Sequence, residues 1–145
     1  IDDNVRFGLL DVNTWTIRWA LTPSDPGHTQ GLRNGKFSPD GRFFITSGDD
    51  DAAALWDTRT GARLALFTGH AQSVVDADIT ADGTRVATAS DDQTVRLWDA
   101  KTGLEITTLG KLPGLPSTCN FTKDGKYLVT DDSLSQVVLF PVAAK

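Results

Sequence analysis

The chain has 145 residues, 39% apolar and 23% charged, with a formal net charge of −5. That acidic balance (pI about 4.8) argues against nucleic acid as the main partner, because phosphate binding needs a basic face and Lys and Arg are scattered here. No apolar run approaches the length that crosses a bilayer, so no membrane role is expected, and one cysteine, Cys119, excludes an internal disulfide framework and any multi-cysteine metal site.

The first residues, Ile1-Asp2-Asp3-Asn4, are acidic and do not read as a secretory or transit signal. A chain that begins with Ile and holds no Met reads as a piece of a longer protein. The unpaired cysteine points to a reducing, cytoplasmic setting. Repeats of 42 residues then organise everything that follows. Asp40-Gly41, Asp82-Gly83 and Asp124-Gly125 recur at that spacing, as do Gly27-His28 and Gly69-His70, and Trp56-Asp57 and Trp98-Asp99. Thr46, Thr88 and Thr130 keep the register, and so do the small residues Gly35, Ala77 and Cys119.

In chain order, Asp3 to Asp11 matches Asp91 to Asp99, with Leu10 standing where Trp98 stands. Val12 to Leu21 matches Ala100 to Leu109 and is predicted to be an outer strand carrying Trp15 and Trp19 on one face. Those tryptophans read as packing over the sheet, with an exposed anchor for a partner as the other reading. A linker, Thr22 to Pro26, leads to a full repeat at 28–67 and a second at 70–109. In the second, Val75, Ala77 and Ile79 alternate with Asp76, Asp78 and Thr80, the period of a strand. Asp82-Gly83 makes the hairpin turn, because Gly accepts positive φ. Val95 and Leu97 belong to a third strand, and Leu104 to Leu109 to a fourth. The last repeat, 112–142, supplies three strands. The sum is an all-β chain of two, four, four and three strands, with no helical periodicity.

Gly-His, then Ser38-Pro39-Asp40-Gly41, then Ser-Asp-Asp-Gln-Thr-Val-Arg-Leu-Trp-Asp at 90–99 resembles the WD-repeat (Gly-His…Trp-Asp) β-propeller family. The resemblance implies four-stranded antiparallel blades around a central channel. Four or more blades are needed for closure, so the chain is expected to be a partial ring from the C-terminal part of a propeller of about seven blades. The other blades would come from the parent chain or a second copy.

His28, Thr46, Asp50 and Trp56, and again His70, Thr88, Asp92 and Trp98, present hydroxyl, imidazole and carboxylate together. A nucleophilic triad would use these groups. The resemblance implies instead a hydrogen-bond network inside each blade, and a set repeated per blade suits a staple better than an active site. No enzyme activity is expected. The last blade departs, with Leu112, Leu134, Phe140 and Pro141 at the matching positions and Thr130 alone retained, so apolar packing is expected to hold it.

Asp49-Asp50-Asp51 reads as an acidic turn rather than a calcium loop, since no ligand spacing surrounds it. Two His and one Cys at these spacings give no zinc site, and no cofactor or metal is expected. Cys119 reads as a packed thiol. By the resemblance, Gln30, Arg33, Asp49, Gln72, Ser73 and Asp91 lie at a top rim where partners bind, with Ser133 replacing the acid in the last blade. The expected function is a protein-interaction scaffold for a protein or peptide, with a basic partner favoured by the acidic rim. The alternatives are a regulatory or targeting propeller of a larger enzyme, or a chain that dimerises to complete the ring.

Overall fold

In the computed structural model, described for residues 7–21 and 28–142, thirteen antiparallel strands form four sheets. Asp3, Asn4, the linker Thr22 to Pro26 and Gly27 lie outside the described residues. β1 (Phe7–Asp11) and β2 (Thr16–Leu21) form a two-stranded hairpin. The first full blade is β3 (Leu32–Phe37), β4 (Phe43–Gly48), β5 (Ala52–Asp57) and β6 (Arg63–Thr68), paired in chain order. The middle blade repeats it with β7 (Val74–Ile79), β8 (Arg85–Ser90), β9 (Thr94–Asp99) and β10 (Glu105–Lys111). The last blade has β11 (Asn120–Phe121), β12 (Tyr127–Asp131) and β13 (Val137–Pro141).

The hairpin turns follow from local chemistry. Gly41, Gly83 and Gly125 adopt φ of +71°, +72° and +67°. The preceding aspartate braces each turn: Asp40 accepts from Ser38 Oγ and the Arg42 amide, and Asp82 accepts from Thr80 Oγ1 and the Thr84 amide. Such side chain to backbone bonds favour the turn over continued strand.

The apolar core lies between blades rather than within them. Ile45, Leu55 and Phe67 of the first blade pack on Val74, Ile79 and Val86 of the middle one. Ala87, Val95 and Leu97 of the middle blade pack on Leu112, Cys119 and Leu128 of the last. Sheets covered on both faces lose the alternation of polar and apolar burial. Asp76, on the polar face of the sequence pattern, is accordingly 1% exposed.

Three local expectations are corrected. The fourth strand of the middle blade runs Glu105–Lys111, shifted from Leu104 to Leu109, and Leu104 is exposed. The strand expected from Val12 begins only at Thr16, because residues 12–15 form the turn. Trp15 therefore does not share a strand face with Trp19. It sits in that turn at φ +55° and is 77% exposed, where Gly61 and Gly103 occupy the corresponding turns at +73°. Trp19 packs inward and donates its indole N–H to the Thr58 carbonyl at 2.7 Å, holding the hairpin to the first blade.

Candidate functional site

In the middle blade the four repeat-marked residues meet in a buried chain. The Trp98 indole donates to Thr88 Oγ1 at 2.8 Å, and His70 Nε2 lies 2.7 Å from the same hydroxyl. His70 Nδ1 lies 2.9 Å from Asp92 Oδ2, which also accepts the Ala71 amide. The donors run in one direction only if Thr88 donates to Nε2 and the Nδ1 proton points at Asp92. Burial pushes the His70 imidazole below its usual range, against the pull of Asp92, so the ring is neutral near pH 7. Burial alone would raise Asp92, but bonds from Thr94, the Ala71 amide and His70 outweigh it and hold the carboxyl far below its usual range.

The first full blade repeats the geometry. Trp56 donates to Thr46 Oγ1 at 2.9 Å, His28 Nε2 lies 2.8 Å from that hydroxyl, and His28 Nδ1 lies 2.7 Å from Asp50. Asp50 Oδ2 takes the Thr29 amide. In both blades the carboxylate ties the loop before the inner strand to the turn after the second strand. The hydroxyls of Thr46 and Thr88 are sealed, with the residues 1% and 0% exposed, so no substrate reaches a nucleophile there. This arrangement satisfies buried polar groups instead of presenting them for chemistry.

In the last blade Thr130 survives, donating to the Thr118 carbonyl. Apolar packing is not its sole support. Asp132, two residues ahead of the position that Leu134 fills, is 5% exposed and accepts the Gly114 amide through Oδ2 at 3.2 Å. Its Oδ1 takes the amides of Leu134 and Gln136, each at 3.0 Å. The strap from loop to turn is thus rebuilt from a different residue. Sequence register hid it, because Asp132 aligns with Ser90 rather than with Asp92.

Of the residues expected at a rim, Arg33, Asp49, Ser73 and Asp91 converge across two blades. Arg33 Nε donates to Asp49, whose Oδ1 also accepts from Ser73 Oγ at 3.2 Å, and Arg33 Nη2 lies 3.9 Å from Asp91. The Arg33 guanidinium beside Asp49 holds that carboxyl below its usual range. Gln30 and Gln72 are exposed on the loops before β3 and β7. Asp51, the third residue of the acidic run, takes a left-handed turn position at φ +62°. No three His, Cys, Asp or Glu side chains among the described residues converge as metal donors. Cys119 is fully buried, and burial raises its thiol well above the usual range. Sequence reading missed a set of contacts along the inner strands, from Lys36 through Asp76 to Cys119. Alternating acids on a strand face gave only a faint signal of it.

The comparisons agree with this geometry. Among the described residues no helix is long and apolar enough to cross a membrane. A protein from Chlamydomonas reinhardtii named Mut11 is 41% identical over 49 residues, which cover 34% of this chain and 13% of that protein's length. The matched stretch is thus a small part of that relative. The family model for the WD domain, G-beta repeat, matches residues 19–57 and 61–99, two units offset by the same 42 residues as the Trp-Asp pairs. With more than half of the chain matched and its strands arranged as propeller blades in an unclosed arc, this protein belongs to the WD-repeat family.

Proposed function

We propose that the chain is a non-enzymatic platform for protein partners, with the rim of Gln30, Arg33, Asp49, Gln72, Ser73 and Asp91 as its contact surface. WD repeats are interaction scaffolds, which gives the coarse function. The observation that carries the finer reading is the cross-blade rim cluster, in which two carboxylates face a single guanidinium. Such a site favours a basic peptide, whose Arg or Lys would complete the second ion pair with Asp91. The reading places the chain in the cytoplasm and leaves nucleic acid and membrane aside, in keeping with its acidic charge.

The reading also includes further blades, from a parent chain or a second copy. Val137 and Leu139 of β13 are 66% and 57% exposed, whereas their repeat equivalents Val95 and Leu97 are 0% and 3% exposed against the next blade. A blade of the same type suits that apolar face.

The rim is tested by anisotropy with a fluorescent oligo-arginine peptide at low and physiological ionic strength, on the unsubstituted chain and on an Asp49→Asn/Asp91→Asn variant. Saturable binding that is lost in the variant at unchanged melting temperature is expected. Equal binding by both proteins, or none by either, would remove the basic-partner reading.

A further inference from the structure

The inner strands β3, β7 and β11 belong to three successive blades, yet their polar side chains form one connected set. Asp76 on β7 is 1% exposed and accepts three hydrogen bonds. Asn34 Nδ2 reaches its Oδ1 at 2.7 Å, while Lys36 Nζ and the Cys119 amide reach Oδ2 at 2.6 Å and 2.7 Å. Lys36 Nζ has three protons to donate. It spends the other two on the Cys119 carbonyl and on Asn120 Oδ1, each at 2.9 Å. Asp78 Oδ2 takes the Phe121 amide at 2.7 Å.

Two features stand out. In repeat arrays each unit contacts only its neighbours. Lys36, on the first blade, passes the middle blade and bonds the last one across 83 and 84 residues of sequence. The last blade's inner strand is also the shortest among the described residues, only Asn120–Phe121. Backbone groups at Cys119 and Phe121 that its own sheet leaves open are satisfied by Asp76, Lys36 and Asp78 from outside. A buried carboxylate is tolerated because it is paired and fully hydrogen-bonded.

We propose that Lys36, bonded to Asp76, is a coupling residue that seats the inner strand of the last blade and joins three blades into one cooperative unit. It is a positioning residue, acting on backbone two blades away. Removing it strands the Asp76 carboxylate and frees the Cys119 carbonyl, so the segment 119–121 opens while the two full blades stay closed.

Cys119 is the only thiol in the chain and sits in this segment, so it reports the opening directly. The test is the rate of Cys119 labelling by a maleimide in native buffer, with amide exchange mapped along the chain, for Lys36→Met and Asn120→Ala. Expected for Lys36→Met is labelling faster by about ten-fold or more, the scale of one charge-assisted bond. Faster exchange should be confined to 119–121 and the rest of the last blade. Asn120→Ala removes only one of the three acceptors of Lys36 and should shift the same thiol by a smaller factor. It also serves if Lys36→Met fails to fold. Unchanged labelling in the folded variants would overturn the proposal. Acceleration spread evenly over all blades would do so too, since Lys36 would then be an ordinary stability residue.

Discussion

The middle and last blades share a backbone plan and solve one problem with different residues. Both must tie the loop before the inner strand to the turn after the second strand. The middle blade does so with Asp92 at the end of a buried relay through His70, Thr88 and Trp98. The last blade drops imidazole and indole together, buries Leu112 in the adjoining core with Phe140 half-buried against it, and moves the carboxylate to Asp132. The backbone strap is therefore the fixed requirement. The relay follows only where a buried ring N–H needs a partner, and removing both partners at once leaves little unsatisfied.

The comparison can be broken most forcefully at the carboxylates. Asp92→Ala orphans the Ala71 and Thr94 amides and the His70 Nδ1 proton, and should cost about 3 kcal/mol in denaturant unfolding. Asp132→Ala orphans amides without a ring partner and should cost about 2 kcal/mol, with exchange rising first in the last blade. If Asp132→Ala is silent, the strap is not the shared requirement. Trp98→Phe leaves Thr88 without its donor and opens a small void, for about 1.5 kcal/mol by the same assay.

Acid sharpens the contrast. His70 has a folded pKa lowered from 6.5, so its contribution is complete above that value and is lost as pH falls through the lower folded pKa. Asp92, lowered from 3.8, adds a second loss in stronger acid. A profile of melting temperature against pH should therefore fall on acidification from neutrality, and His70→Leu should flatten its upper part. An unflattened profile would place the titration elsewhere. Smallest of all, Leu134→Asp restores the repeat's turn acid at an exposed position and should change stability by no more than about 0.5 kcal/mol.

Features with a period of 42 were legible in the sequence: the strands, the Asp-Gly turns and the His, Thr, Asp and Trp positions. What broke the period was not. Trp15 reads as a strand residue although the matching positions, Gly61 and Gly103, are turn glycines, because a left-handed tryptophan is rare. Asp132 escaped because it stands two residues ahead of the register position of Asp92, aligned with Ser90 and Gly48, where the 42-residue repeat carries no acid. The contacts of Lys36 depend on the rotation between blades, which no pattern within one repeat encodes. The family resemblance supplied the expectations of a ring of blades and of a partner-binding rim, and composition alone would have yielded neither.

Repeats built on one backbone plan carry a hazard of assembly, since a blade could pack against the wrong neighbour and chains of repeats misassemble in this way. The inner-strand charges act against it. The first blade offers Lys36, the second Asp76 and Asp78, the third Asn120, and the contacts close only when the blades stand in that order. The first blade set directly against the last would leave Lys36 without the Asp76 carboxylate. These few polar residues thus serve as an address, telling each copy of a repeated unit which neighbour is its own.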